Sequence, residues 1–273
     1  MKKTVCLTLI AAMLLGGCAA KTKGSNENYE EHEAVSTISQ ASYDSLDNTG
    51  VGWGLVKKKG KAPEIPKDQQ ETLDKYSGYY MDKTEPKALY LTFDEGYENG
   101  YTSKILDVLQ ATETPAAFFV TGPYLESQTD LIKRMIDEGH IVGNHTVNHI
   151  NMPKSSVETV QKELTDLNKM CEEKYGATMR YVRPPEGEYS ARSLAIAQDM
   201  GYKTIFWSFA YKDWDVNVQQ GEDYAFNEVT PYLHDGAIIL LHAVSSDNAN
   251  ALERIINYAK EQGYEFRSLD ELK

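Results

Sequence analysis

The residues able to do chemistry are scattered along the chain, and each group follows an apolar run. Asp94 and Glu95 come directly after the run at residues 88–93, within Thr92-Phe93-Asp94-Glu95-Gly96. A buried strand ending in two acids implies partners for them, because burying unpaired charge is costly. His145-Thr146-Val147-Asn148-His149 follows the run at 140–144. Two histidines at this spacing can turn their rings to one ion if the segment is a helical turn; otherwise they are ordinary surface or capping residues. Arg183-Pro184-Pro185-Glu186-Gly187-Glu188-Tyr189 follows the run at 179–182. Its prolines and glycine alone describe a rigid loop, whereas Arg183 is a permanent cation able to hold a carboxylate. Lys212-Asp213-Trp214 lies past the run at 203–209, and His242 ends the run at 237–241. Taken singly, Asp213 fits a helix cap and His242 a satisfied core histidine. Finding them all at strand ends, together with His140 before a strand, argues for a shared site.

The elements that must position these residues alternate. The runs at 88–93, 116–120, 140–144, 179–182, 203–209, 237–241 and 264–269 are apolar, β-branched or aromatic and read as strands. Helical patterns lie between most of them. Residues 130–138 carry Leu131, Ile132, Met135 and Ile136 on one face and stop at Gly139. Val157, Val160, Leu164, Leu167 and Met170 step by three and four, and Ser155 with Glu158 is expected to form the capping box. Leu252, Ile255, Ile256 and Ala259 form a further helix, ended by Gly263. The helix between Trp214 and His234 is the least defined. Seven strands alternating with helices imply a parallel α/β sheet. It closes as an irregular barrel or stays open and doubly wound, with the chemistry at the C-terminal strand ends in either case.

Five of these segments, in this order, resemble the motifs of the NodB-type polysaccharide deacetylases, a carbohydrate esterase family. TFDE resembles T-F-D-D, HTVNH resembles H-[ST]-x-x-H, and RPPEGEY resembles R-P-P-Y-G-x-Y. KDW resembles the end of D-x-x-D-W, and LLH the last, Leu-x-His-like motif. The likeness runs from about Lys87 to the C-terminus and implies a distorted (β/α)7 barrel over residues 87–273. GWGL, LTFDEGYENGYT, FWSFAYKDW and LLHAVSSDN are similar to the branch that deacetylates peptidoglycan N-acetylmuramic acid for the delta-lactam of spore cortex. That branch likeness extends upstream to about Gly52, so residues 51–86 are expected to pack on the barrel.

The resemblance implies roles. Asp94 is the general base, positioned and kept ionised by Arg183, and His242 is the general acid, oriented by Asp213. A divalent metal (zinc foremost, with cobalt and manganese as alternatives) is held by His145, His149 and the residue after the base. The family has Asp there; Glu95 is one methylene longer, which alters its reach. The oxyanion contact is the backbone N–H of Glu186, where the family usually has Tyr, and Tyr189 and Trp214 are expected beside the sugar. Glycan strands of peptidoglycan are the implied partner. N-acetylglucosamine in peptidoglycan or chitin-like chains, acetylated xylan, and a catalytically weak sugar-binding lipoprotein are the competing readings. Glu186 weighs against muramic acid, because its negative charge repels a lactyl carboxylate.

Composition sets the surroundings. The 273 residues, 41% hydrophobic, suit one sizeable domain plus extra segments. A formal charge of -13 disfavours nucleic acid. The N-terminus MKKTVCLTLIAAMLLGGCAA has a basic start and an apolar stretch too short to span a bilayer, and it ends in small residues before Cys18. It resembles a lipoprotein signal, residues 1–17, cleaved before a lipidated Cys18; an ordinary signal peptide is the plainer alternative. Residues 18–50 read as a polar tether and Lys57-Lys58-Lys59 as a solvated loop. The protein is thus expected outside the cytoplasm, anchored to the membrane and monomeric; in a spore former, the space between forespore and mother cell fits. Of three cysteines only Cys171 remains in the body; it lies in a helical pattern and is expected to pack.

Overall fold

A computed structural model describes residues 40–273. The expected signal, the lipid-bearing Cys18 and most of the tether lie outside the described residues.

All seven expected strands form, and three short ones join them. In chain order they are β1 (Val51–Gly52), β2 (Gly78–Tyr79), β3 (Ala88–Glu95), β4 (Ala116–Val120), β5 (Ile141–Asn144), β6 (Tyr181–Val182), β7 (Glu188–Tyr189), β8 (Lys203–Ile205), β9 (Ala237–His242) and β10 (Glu265–Phe266). The sheet runs β3-β4-β5-β6-β8-β2, and β9 and β10 also pair with β3. Every pairing within it is parallel. The sheet curls round on itself. Past β8, Phe209 bridges Ile239 of β9, with Ser208 N–H donating to the Ile238 carbonyl at 2.9 Å and Leu240 N–H to the Phe209 carbonyl at 2.9 Å. The irregularity of the barrel sits here: the wall between β8 and β9 is a bent segment, and β10 pairs only with the first two residues of β3.

β3 and β4 are buried along nearly their whole length. Central parallel strands covered on both faces read as continuous apolar runs in this way. Outside lie nine helices among the described residues: α1 (Gln40–Asp44), α2 (Lys67–Lys75), α3 (Thr102–Ala111), α4 (Gly122–Ser127), α5 (Thr129–Asp137), α6 (Val157–Tyr175), α7 (Ala191–Asp199), α8 (Glu222–Val229) and α9 (Ser246–Glu261). α6 buries Val157, Val160, Leu164, Leu167 and Cys171 on one stripe, so Cys171 packs as expected. Its cap is one residue later than anticipated. Ser156 Oγ accepts from Thr159 N–H, while Ser155 Oγ turns back to the Asn151 carbonyl. The ill-defined stretch before His234 holds α8.

The N-terminal segment is fastened to the barrel earlier than composition implied. Tyr43, expected in the tether, is buried, and its hydroxyl donates to Asp199 Oδ2 at 2.8 Å. Asn48 donates to the Pro153 carbonyl and accepts from Ser190 Oγ. β1 then pairs antiparallel with β7. Trp53 follows, stacked on Phe206 with ring centroids 4.6 Å apart, its indole N–H donating to the Trp207 carbonyl at 2.9 Å and its backbone N–H to the Gly187 carbonyl at 3.0 Å. Within the basic run, Lys57 reaches Glu228 at 3.2 Å and lies over the Tyr232 ring, so it is less free than a solvated loop residue.

Trp53→Ala removes this buried ring and is expected to cost about 3 kcal/mol, as for other buried aromatic truncations. Val56→Ala, at a position 80% exposed, should change little. Chemical denaturation of both variants checks this, and equal midpoints would show that the strap does not hold the domain.

Candidate active site

The C-terminal ends of the strands open into a cavity of about 880 Å³. Asp94, His145, His149, Glu186, Trp214 and His242 all line it, so five separate stretches of sequence meet there. Tyr97, Trp207 and Tyr211 add aromatic wall, and Leu240, Val147 and Val244 add apolar wall.

Arg183 underlies the site. Its side chain is fully buried, and each of its three nitrogens donates. Nη1 donates to Asp94 Oδ1 at 2.7 Å, Nη2 to Thr92 Oγ1 at 2.9 Å and to the Phe206 carbonyl at 3.3 Å, and Nε to the Ile205 carbonyl at 3.0 Å. The guanidinium carbon lies 4.2 Å from the centre of the Phe119 ring. Burial by itself would raise the pKa of Asp94, but the neighbouring Arg183 above all, through its charge and its hydrogen bond, holds the group below the usual carboxylate range.

His145 is buried, and its Nδ1 donates to the Arg183 carbonyl at 2.7 Å. This leaves Nε2 as the bare nitrogen, 3.7 Å from Asp94 Oδ2. Burial is the main reason its pKa falls to about 4, so the ring is neutral and its lone pair available. The His149 ring lies 4.9 Å away, centre to centre, at 73°. A helical turn does not bring the pair together, as anticipated above. Thr146 (φ 62°) and His149 (φ 53°) are left-handed, and the loop between them is tied down from outside. Asn144 Oδ1 accepts from Thr146 N–H, and Glu163 accepts from both the backbone and the side chain of Asn148.

Glu95 is not brought to these histidines. Adjacent residues of a strand point to opposite faces, and with Asp94 on the cavity Glu95 turns behind it, where it is completely buried. Neither of its carboxyl oxygens has a hydrogen-bond partner. Burial, then the nearby Glu98 and Asp94, raise its pKa well above the ordinary value. Among the described residues no three His, Cys, Asp or Glu side chains converge as a metal requires. The two imidazoles are then the donors left to hold an ion, His145 through its Nε2. Glu98, missed in the sequence, accepts from Gly100 N–H and the Thr102 hydroxyl and so closes the start of α3.

Across the cavity, Asp213 Oδ1 accepts from His242 Nδ1 at 2.7 Å and Oδ2 from His242 N–H at 2.8 Å. Burial would lower the His242 pKa, but Asp213 and then Asp94 raise it above the usual histidine value. Glu186 is left-handed (φ 59°) and exposed, and Gly187 follows it at φ 67°. A Cβ on Gly187 would lie 2.8 Å from the Trp207 ring and 3.0 Å from Trp53 Cβ, so the turn needs glycine for both conformation and space. Trp214 is 54% exposed on the rim. Tyr189 does not line the cavity. It is buried in β7 against Phe206 and Trp53, so its expected contact with a sugar is not borne by the geometry.

Residues 81–205 match the family model described as polysaccharide deacetylase. Over 99% of this chain and 95% of the relative, the sequence is 39% identical to the peptidoglycan-N-acetylmuramic acid deacetylase PdaA of Bacillus subtilis. The chain belongs to the polysaccharide deacetylase family. The solved structure of that Bacillus subtilis protein, a family 4 carbohydrate esterase, superposes on this deacetylase with a TM-score of 0.81 at 42% identity, covering 83% of this chain and 98% of the other. The peptidoglycan-N-acetylglucosamine deacetylase of Bacillus cereus is 33% identical over 68% of this chain and 88% of its own. Both the expected family and the barrel are thereby established. Deacetylases of this family are metalloenzymes, which supports a divalent ion as the cofactor of this one.

The position of Glu95 has a measurable signature. An acid whose pKa is raised on folding takes up a proton in the native state, so it lowers stability as pH rises above its unfolded value. Glu95→Gln removes that ionisable group without changing its size. With chelator present, the variant should be more stable than the parent by on the order of 1–3 kcal/mol at pH 8, with the gap closing towards pH 5. Denaturation curves across that range test it, and a variant less stable than the parent at pH 8 would mean that Glu95 has an ionic partner.

Proposed function

We propose that this deacetylase removes the N-acetyl group from N-acetylmuramic acid of peptidoglycan, leaving the free amine from which the muramic delta-lactam of spore cortex forms. One observation carries the reading: two groups whose pKa values are pushed apart, Asp94 downward and His242 upward, face one cavity. That is the arrangement for a base and an acid acting in one reaction. The 39% identity to PdaA over almost the whole chain supports the substrate.

Asp94 takes a proton from water as the water oxygen bonds to the acetyl carbonyl carbon. Arg183 keeps Asp94 ionised and aimed. The carbonyl oxygen gathers negative charge, and the backbone N–H of Glu186, after Pro184 and Pro185, is the donor assigned to it. The C–N bond then breaks, and His242 gives its proton to the departing amine while Asp213 holds the ring. Acetate and the free amine are the products. His145 and His149 would hold a divalent cation, zinc foremost with cobalt and manganese as alternatives, whose chemistry would be that of a Lewis acid. Trp214, exposed on the rim, offers its face to a sugar ring.

Glu186 favours a second reading. No ion pair of this rim carboxylate is found among the described residues, and it would repel a free lactyl group. N-acetylglucosamine, the substrate named for the Bacillus cereus relative, lacks that group.

Mass spectrometry of peptidoglycan fragments after incubation with the holoenzyme separates the two. Loss of acetyl from muramic acid is expected, chelation should abolish it, and a restored divalent ion should recover it. Asp94→Asn should lose on the order of 100- to 10,000-fold. Acetyl loss confined to glucosamine would replace the first reading with the second, and near-parent activity of Asp94→Asn would remove the base.

We also propose that the protein acts outside the cytoplasm on a lipid attached to Cys18. The support is the basic start, short apolar stretch and small residues before that cysteine. Among the described residues no helix is long and apolar enough to cross a membrane. Cys18→Ser should move the protein from the membrane pellet to the soluble fraction. Continued pelleting after a high-salt wash would contradict lipid anchoring.

A further inference from the structure

From the geometry behind His242 we infer that Asn248 is a positioning residue for proton delivery, acting through Asp213. The inference rests on the acid role of His242 proposed above.

Asn248 is 1% exposed and does not line the cavity. It lies in the first turn of α9, where its backbone N–H donates to Ser245 Oγ at 3.2 Å. Its side chain is used at every atom. Nδ2 donates to Asp213 Oδ2 at 2.6 Å and to the His242 carbonyl at 3.2 Å, and Oδ1 accepts from the Tyr211 hydroxyl.

The need for it follows from where Asp213 sits. Asp213 is on the irregular segment between β8 and α8, so no ladder fixes its backbone. Its carboxylate must hold one orientation for Oδ1 to meet the His242 ring. Oδ1 contributes a single bond, about which the group can rotate. The donors that stop rotation both reach Oδ2, and both come from regular elements: His242 N–H at the end of β9 and Asn248 Nδ2 at the start of α9. Asn248 thereby ties the irregular segment to α9, and Tyr211 fixes which way its amide faces. The charged and titratable groups around His242 are Asp213, Asp94 from β3 and Arg183 past β6, with Tyr211 and Asp247 beyond Asp213. Asn248 adds no charge to this set, so its influence is on orientation.

An imidazole that gives a proton to an amine matters for amides. It matters far less for an aryl ester, whose phenolate leaves without a proton. The two substrates therefore separate a role in proton delivery from general damage. The test compares turnover of N-acetylated peptidoglycan with that of 4-nitrophenyl acetate, using the full-length holoenzyme and the variants Asn248→Ala and Tyr211→Phe. The amide-to-ester ratio of kcat should fall at least about tenfold in Asn248→Ala, a part of the roughly 100- to 10,000-fold that acid catalysis contributes, with KM for the glycan nearly unchanged. Tyr211→Phe keeps the cavity wall and removes only the outer anchor, so a smaller fall of the same sign is expected. It decides the matter if Asn248→Ala does not fold. An unchanged ratio in the folded variants, or equal loss of both activities, overturns the role of Asn248. A parent that releases no acetate from glycan defeats the acid assignment and this inference with it.

Discussion

The bond between Arg183 and Asp94 organises this molecule. A guanidinium with no solvent exposure is tolerable only when its donors are matched, and here they reach one carboxylate, one hydroxyl and two carbonyls. These acceptors come from β3, β8 and the residue after β8, so the charge requires that those strands arrive together. The Arg183 carbonyl meanwhile accepts the hydrogen bond of His145 Nδ1–H, which leaves Nε2 as the bare nitrogen. One buried residue thus sets the ionisation of Asp94 through its side chain and the tautomer of His145 through its main-chain carbonyl.

The barrel strands were legible because β3 to β6, β8 and β9 are apolar runs closed by turn residues, with 3.6-period helices between. The chemical groups were legible because each lies at the end of such a run. What stayed hidden has physical reasons. β1, β2 and β7 are two residues long and leave no periodic trace. Tyr43 anchors a segment whose composition is otherwise polar, so the tether looked longer than it is. Glu95 shares its motif with Asp94, but alternation along a strand sends neighbours to opposite faces, and the motif alone does not say which of the two faces the cavity. Tyr189 was assigned by motif; pairing with β1 carries it into the core. Asn248 belongs to no charged cluster, and only its distances reveal it.

The two sides of the cavity are built differently. The Asp94 side rests on central strands and a buried cation. The His242 side combines a strand end, an irregular segment and the first turn of α9, held by hydrogen bonds that Asn248 donates to Asp213 and to Ser245 Oγ. The rim residues Glu186 and Trp214 also lie on loops. Loops tolerate substitution better than strands do, so rim chemistry can change between relatives while the pair beneath it stays fixed.

The fastening of the N-terminal segment has a mechanical consequence. From Gln40 onward the segment is attached to the body through Tyr43, then Asn48, then β1, and then Trp53, which touches the Gly187 turn. These attachments are arranged in series. A pull arriving from the preceding residues loads the outer two first, and the turn that carries Glu186 feels it only after they have given way. The segment is thus built as a strain relief: load applied at Gln40 is borne by its outer attachments before it reaches the turn beside the catalytic cleft.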